Sequence, residues 1–436
     1  MSDYLSVTPR ERAAMCAALG ITDVSELYAD VPRELRRCRT YLSDGRSQQE
    51  VSEIFKELAS RNKRYDSVLR GAGSYRHYIP SAVKSITARE EFVTAYTPYQ
   101  AEMSQGILQA MFEYQTMICN LTGMDAATVS HYSGATAAAE ACLMFAHRGD
   151  TAVIYDNVNP DTYDTVATYL AARGAEMRTL RARGGRADVS DGELNGASVV
   201  YVESPNYYGL LEDLSSIAAS CAAVDAKLVV GCNPMSLALF KPPSEYGADA
   251  VVGDGQPFGM PLSFGGPYLG YMAVKKEYMR RLPGRIVGET ADAEGRRAYV
   301  LTLQAREQHI RRERATSNIC SNQALCALTA SVYMSLLGPD GLRETAEACA
   351  SNAHYFARKL QAAGLKLFYE GEFFHEFVTF APNMSGKILT ALDEAGILGG
   401  LALDGHRILW CCTELNTKAD MDRAAEITEA VYADGV

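Results

Sequence analysis

The sequence of 436 residues lacks the segments that mark a secreted or membrane-spanning protein. It begins with MSDYLSVTPRER, which is polar and charged, and no stretch approaches the roughly 20 apolar residues of a membrane span. Its eleven cysteines form no CxxC pair and mostly lie in apolar surroundings, which is typical of free thiols in a reducing compartment. We therefore expect a cytoplasmic protein that has no membrane partner.

Several catalytic motifs are also missing. The seven histidines include no HxH or HxxxH pair, so the sequence predicts no metal site. There is no GxSxG elbow of a serine hydrolase, and no GxGxxG follows the first strand, which argues against a Rossmann dinucleotide site. The net charge of −11 argues against nucleic acid as a partner, because phosphate binding needs a basic patch.

The middle of the sequence contains alternating apolar strands and helices. Strands are predicted at residues 151–155, 176–181, 198–203, 227–232, 249–253 and 268–274, and helices at 161–173 and 214–225. An alanine-rich helix that should pack closely precedes them. Strands that alternate with helices predict right-handed crossovers and a mostly parallel sheet covered on both faces.

The two ends of the chain have a different character. The first ninety residues are predicted to be helical, with capping signatures at residues 8–11, 47–50 and 87–90. Beyond a helical stretch at 322–337, strands at 372–380 and 407–413 and helices at 386–395 and 419–432 indicate an α+β region. We expect a helical N-terminal segment (1–90), a large α/β domain (91–335) and a small C-terminal domain (336–436).

Some loops have the composition of a binding site. SGAT at 133–136 opens a helix, and its free N–H groups with the hydroxyls of Ser133 and Thr136 suit a phosphate. A capped helix with small residues for packing explains the same motif. The tyrosines and amides of YTPYQAEMSQ at 96–105 suit a site or an interface, or simply a turn and a cap. In the charged stretch 284–322 we expect a solvated helical face, with 285–290 and 316–322 as possible site loops.

Five longer strings carry a resemblance to a known family. They are GAGSYRHYIP (71–80), TAYTPYQAEMSQG (94–106), SGATAAAEA (133–141), GDGQPFGMPLSFGGPYLG (253–270) and RLPGRIVGETADAEGRRAYVLTLQAREQHIRRERATSNICSNQAL (281–325). The chain resembles the N-terminal subunit of the glycine cleavage system P protein, glycine decarboxylase. The similarity covers nearly the whole chain.

The resemblance implies a fold, a reaction and partners. The fold is that of aminotransferase-like, fold type I enzymes, which use pyridoxal phosphate. The P protein is split into two homologous subunits that assemble as a heterotetramer of two plus two. Glycine is decarboxylated on the cofactor, and the aminomethyl group passes to the lipoyl arm of H protein. By resemblance, the lysine that binds the cofactor lies on the second subunit.

The stretch GADAVVGDGQPFGMPLSFGGP at 247–267 contains no lysine. In the resembled fold, a strand and loop of this form deliver the cofactor lysine, and aligning Asp249 with the strand start brings Pro257 to its position. A cofactor enzyme also needs a carboxylate facing the pyridine nitrogen. The preceding strand ends instead at Cys232 and Asn233, with no acid from 229 to 240. Asn159 stands where relatives have a histidine.

These departures predict that this subunit alone has no catalytic residue and binds no cofactor covalently. Vestigial cofactor-site positions are Ser133, Gly134, Thr136, Asn159, Asn233 and Pro257. Candidates for a site or interface shared with the second subunit are Tyr96, Thr97, Tyr99, Gln100 and His77, which would close the pocket and position glycine or the lipoyl arm. Two alternatives stay open: a self-sufficient enzyme that uses Lys241, Lys275 or Lys276, and a purely structural partner.

Overall fold

A computed structural model describes residues 7–32, 34–36, 45–189, 192–303, 308–315, 317 and 319–433. The chain divides into two compact units, residues 1–64 and 65–436. In the first unit, α1 is Pro9–Ala18 and α2 is Gln48–Ser60, with a 3₁₀ turn at Val24–Tyr28. Both predicted capping boxes are confirmed, because Thr8 and Ser47 exchange hydrogen bonds with the residues three positions on. The predicted domain boundaries at 90 and 335 stay predictions.

A mostly parallel sheet of seven strands forms the centre of the second unit. Its strands are β2 Ala126–Ala127, β3 Thr151–Tyr155, β4 Glu176–Leu180, β5 Ala197–Glu203, β6 Lys227–Gly231, β7 Ala250–Asp254 and β8 Gly270–Val274, after β1 at Ser67–Val68. The order is β2-β8-β7-β6-β5-β3-β4, in which only the pairs made by β8 are antiparallel. All six predicted strands are confirmed.

Helices cover both faces of this sheet. They are α5 Gln105–Thr122, α6 Gly134–Phe145, α7 Pro160–Arg173 and α8 Leu214–Ala223, which follow the short helices α3 Ser81–Thr87 and α4 Glu90–Val93. Neighbouring strand residues belong to different cores, since Val153 packs in one apolar cluster and Ile154 in another. Four of the five alanines of α6 are buried, as its composition predicts. The capping signature at Thr87 was wrong, because Thr87 ends α3 and donates its hydroxyl to the carbonyl of Val83.

The C-terminal part of this unit is α+β, as predicted. Its elements are β9 Ile286–Ala291, β10 Arg297–Thr302, α9 Gln308–Arg311, α10 Ala324–Ala362, β11 Lys366–Leu367, β12 Glu376–Phe380, α11 Ser385–Glu394, β13 Ile397–Leu398, β14 Leu401–Ala402, β15 Arg407–Cys411 and α12 Lys418–Ala433. Strands β11, β12, β15 and β14 form an antiparallel sheet, and β1 pairs with β13. The helical face expected in 284–322 was largely wrong, because IVGETA and RAYVLT pair as an antiparallel hairpin.

Within the described residues, α10 is long and apolar enough to cross a membrane by length and composition, which the sequence analysis did not flag. It is kinked at Gly338, where φ is 62°, and at Pro339. Ala327, Ala330 and Tyr333 on its first half are buried in the main apolar cluster. Packing inside the protein therefore accounts for much of its apolar composition.

Candidate functional site

A cavity of about 450 Å³ opens at the carboxyl ends of the parallel strands. The strand ends contribute Glu203 from β5, Gly231 from β6 and Asp254 from β7. The starts of α6 and α7 and the loop 72–75 complete its wall. Ligands of open α/β sheets bind at this edge, so this is the candidate site.

The fold brings together most of the positions that were predicted as a vestigial cofactor site. Ser133, Gly134, Asn159, Asn233 and Pro257 all line the cavity, although they come from four separate loops. Thr136 does not line it but is bonded to Ser133. The sequence therefore located this cavity, while the role of each residue stays a prediction.

The start of α6 is occupied by groups of the chain itself. The hydroxyl of Ser133 accepts from the Thr136 N–H at 3.3 Å, and that of Thr136 accepts from the Ser133 N–H at 2.9 Å. The Gly134 N–H donates to Oδ2 of Asp254 at 2.8 Å. The Asp254 side chain thus already occupies the place where a helix N-terminus would bind a phosphate. Burial raises the pKa of Asp254, although three backbone N–H groups donate to its carboxylate.

The cavity has acidic groups and no basic one among its described lining residues. Pro257 offers no amine. The carboxyl groups of the cavity lining belong to Asp161, Glu203 and Asp254. Burial raises the pKa of Glu203 to about 7, while the Asn159 N–H and the Tyr201 hydroxyl donate to it at 2.8 Å and 3.0 Å. A phosphate-bearing cofactor that needs a lysine does not fit this lining.

The three lysines considered as substitutes lie outside the cavity lining. Lys241 pairs with Glu245 at 3.4 Å, and Lys275 pairs with Asp249 at 2.9 Å. Lys276 is exposed after the end of β8. A self-sufficient site built on one of them has no support from this geometry.

A latch that the sequence analysis missed holds loop 72–75 over the cavity. Oε1 of Glu376 accepts from the Ala72 N–H at 2.7 Å, and Oε2 accepts from the Tyr75 hydroxyl at 2.8 Å. The side chain of Gln256 also binds the backbone of Tyr75. It accepts from the Tyr75 N–H at 2.9 Å and donates to the Tyr75 carbonyl at 2.8 Å. Burial raises the pKa of Glu376 to about 7. Glu376 lies far from this loop in sequence, so no local pattern predicts the contact between them. The GAGSYRHYIP string was the one signal that this loop matters.

His77 lies beside a different carboxylate, away from the cavity lining. Its Nδ1 is 2.8 Å from Oε2 of Glu414, which also accepts from Sγ of Cys349 at 3.4 Å. The other oxygen accepts from the Tyr78 N–H at 2.6 Å. His77, Cys349 and Glu414 are close enough to share a metal ion, but in this structure the Glu414 carboxylate is in contact with the other two side chains and with the Tyr78 N–H. The arrangement fixes the end of loop 71–80 to the C-terminal sheet region.

The other shared-site candidates lie on an exposed loop ahead of α5 and do not line the cavity. Tyr96 is 80% exposed and Tyr99 is 55% exposed, and Gln100 is exposed as well. Thr97 is half-buried between them. Of the two further loops considered, 286–290 lies in β9 and Arg285 directly precedes it, whereas Thr316 and Asn318 of the second loop fall outside the described residues.

The family model and the related sequences identify the same family. The model of the family described as glycine cleavage system P-protein matches residues 2–427. A protein of Desulforamulus reducens named probable glycine dehydrogenase (decarboxylating) subunit 1 is 46% identical over 97% of this chain and 98% of its own length. A protein of the same name from Moorella thermoacetica is 44% identical over 99% of this chain and 100% of its own.

Comparison with solved structures agrees. A crystal structure described as glycine decarboxylase (P-protein) of the glycine cleavage system, in inhibitor-bound form, matches with a TM-score of 0.93 and 39% identity. It covers 98% of this chain and 100% of its own. An aspartate aminotransferase from Thermus thermophilus matches with a TM-score of 0.61 at 13% identity, over 85% of this chain and 100% of its own. That likeness establishes the aminotransferase-like fold.

Proposed function

Because this chain belongs to the glycine cleavage system P-protein family, we propose that it completes a glycine-decarboxylating site whose cofactor lysine lies on a partner subunit. The observation that carries the proposal is Pro257 in the cavity wall at the end of β7, with no lysine in the described lining. The chain is an enzyme subunit of the glycine dehydrogenase (decarboxylating) type, and its relatives bear the name subunit 1.

The cavity's electrostatics support the division between subunits. Asp254 supplies a carboxylate at the helix terminus where an external phosphate would bind, at 2.8 Å from the Gly134 N–H. Glu203 adds a second acid, and no basic side chain of the described lining offsets them. An anionic cofactor would find no counter-charge here and a helix terminus that is already hydrogen-bonded. We therefore assign pyridoxal phosphate to subunit 2, where it would supply the electron sink for loss of carbon dioxide.

The exposed loop before α5 is the part of this chain that we assign to the shared site. Tyr96, Tyr99 and Met103 are 80%, 55% and 85% exposed, so three large, mainly apolar side chains of one loop face the solvent together. Large aromatic groups on an exposed loop are typical of interface anchors. In this assignment they close the site over glycine and the incoming lipoyl arm of H protein, in a cytoplasmic heterotetramer of two plus two.

A test uses the complex reconstituted from both subunits and H protein. Replacing Tyr96 or Tyr99 with Phe removes only a hydroxyl, and we expect lower glycine turnover in at least one variant. Tyr163→Phe on α7 serves as the control, because that hydroxyl bonds Thr179 away from the loop. Full turnover in Tyr96→Phe, Tyr99→Phe and the double variant would refute the assignment of this loop.

A further inference from the structure

Arg285, the residue just before β9, is the one arginine or lysine that is buried among the described residues, with 8% of its surface exposed. Arginine keeps its charge at all relevant pH values, and a buried charge requires a counter-charge or full hydrogen bonding. Six of the arginines that the structure describes have a carboxylate partner, and none of these six is buried. Arg407, for example, pairs with Asp404 at 2.8 Å.

The partners of Arg285 do not neutralise it. Its Nη2 donates to the Tyr99 hydroxyl at 3.3 Å, and its guanidinium carbon lies 5.6 Å from the centre of that ring. Its Nε is buried and has no hydrogen-bond partner. Across the described part of the chain, no Asp or Glu oxygen forms an ion pair with it. Within the described residues, this cation is therefore buried without a counter-charge.

Tyr99 connects this cation to the outside of the chain. Its ring contacts the guanidinium, yet 55% of the residue is exposed on the loop assigned to the shared site. A group that approaches this loop from a docked subunit would meet the Tyr99 hydroxyl and the Arg285 fork together. The planar guanidinium binds carboxylate and phosphate oxygens in pairs, and a tyrosine hydroxyl adds one more donor.

We infer that Arg285 and Tyr99 form an oxyanion-binding site that takes the carboxylate or phosphate of a small molecule held at the subunit junction. The inference rests on the proposed function, which brings glycine and the cofactor to this face. The carboxylate of glycine and the phosphate of the cofactor are its two possible sources, and both share the oxyanion chemistry that the guanidinium recognises.

The test replaces Arg285 with Met, which keeps the length and apolar stem of the side chain. Arg297→Met is the matched control, because Arg297 also lies over a tyrosine ring, at 5.7 Å from the centre of Tyr299, but is exposed. In the reconstituted complex, KM for glycine and Kd for pyridoxal phosphate are measured for wild type and both variants. Loss of a charge-assisted contact should raise one of these two constants about ten- to a hundredfold in Arg285→Met.

A rise in KM for glycine supports the carboxylate source, and a rise in cofactor Kd supports the phosphate source. Arg285→Lys should recover part of the loss, because it keeps the charge without the fork. Thermal unfolding of the full-length chain alone gives a readout besides activity, with inorganic phosphate and acetate as probes. Either anion should raise the Tm of wild type more than that of Arg285→Met at equal ionic strength.

Unchanged KM and Kd in an assembled Arg285→Met complex would overturn the inference, whatever happens to its Tm. So would a variant that only weakens subunit assembly, because Arg285 would then pair with the partner protein instead of a small molecule. A wild-type mixture that shows no glycine turnover would instead overturn the proposed function, so the two failures are distinguishable.

Discussion

Asp254 at the end of β7 and Pro257, three residues further on, affect the candidate site in different ways. Pro257 removes the possibility of a covalent bond to the cofactor, since proline has no side-chain amine. Asp254 places a carboxylate on the Gly134 N–H at 2.8 Å, so the start of α6 is no longer open to an external anion. The two changes are independent in chemistry, and reversing one of them leaves the other in place.

Restoring the lysine alone should therefore not restore cofactor binding. We expect the purified chain with Pro257→Lys to take up no lysine-bound pyridoxal phosphate, as measured by visible absorbance and by mass after borohydride reduction. Adding Asp254→Ser should increase uptake, because it frees the Gly134 N–H to bind the phosphate. Asp161→Asn in the same background is the control, since it removes a lining acid that is not bonded to α6. Stoichiometric uptake by Pro257→Lys alone would contradict this account.

The buried carboxyl of Glu376 makes stability depend on pH. Its pKa rises from 4.5 to about 7 on folding because burial disfavours the charge. Between these values the folded chain binds the proton more tightly than the unfolded chain, so the free energy of unfolding falls as pH rises. At about 1.36 kcal/mol per pKa unit, the effect is on the order of 3 kcal/mol.

The Glu376→Gln variant has no carboxyl group to ionise at this position, so it should lack the fall in the free energy of unfolding that Glu376 causes as pH rises. Urea unfolding of both proteins from pH 5 to pH 8 measures it, and the variant should gain stability relative to wild type across the window. Because the amide also replaces one acceptor with a donor, a constant offset between the two proteins is expected. Parallel curves would show that Glu376 does not titrate in this range.

At the scale of elements, the close approach of β6 and β7 builds the strand-end geometry of the cavity. A Cβ added at Gly253 would lie 2.2 Å from the Cys232 carbonyl oxygen and 2.6 Å from the Tyr271 hydroxyl. We therefore expect Gly253→Ala to destabilise the chain by about 1–3 kcal/mol, as overpacking of a core does.

Gly386→Ala is the matched control for that substitution. Gly386 lies in the first turn of α11, and no atom would lie within 4 Å of its Cβ. Alanine there should be neutral or stabilise by up to about 1 kcal/mol, because it favours the helix. Equal Tm values for wild type and Gly253→Ala would contradict the tight packing at the end of β7.

The strands and helices of the large unit were predictable because each carries its own local signal. Alternation along the chain predicts a parallel sheet, and an apolar run such as LVVG in β6 is what a strand buried on both faces requires. The β9–β10 hairpin was not predicted, because its two strands lie within a longer stretch, 284–322, that is rich in arginine and glutamate. No turn signal outweighed the expectation of an exposed helix there.

The candidate site was predictable only in part, for a similar reason. Asn233 and Pro257 follow strands, and parallel strands end at one edge, so their meeting in one cavity follows from topology. The latch between Tyr75 and Glu376 joins residues far apart in sequence, at 2.8 Å in space. No local pattern encodes that contact. The separation of Arg285 from every carboxylate of the described residues likewise becomes visible only in three dimensions.

At the scale of the whole molecule, the chain keeps a cavity of cofactor size but gives it an acidic lining without a basic group in its described part. It also exposes an aromatic loop, with Tyr96 80% exposed, that does not reach this cavity. These two features fit a subunit whose own site has lost its chemistry and whose surface serves the site of a partner. The account's central claim is thus that turnover requires both chains.

Glycine–bicarbonate exchange with H protein tests that claim most directly. The lysine-bearing subunit is held at fixed concentration with saturating pyridoxal phosphate, and this chain is added in increasing amounts. We predict little exchange from either subunit alone and a rise that saturates when the two are equimolar. Full exchange by the lysine-bearing subunit alone, unchanged on addition of this chain, would contradict the account.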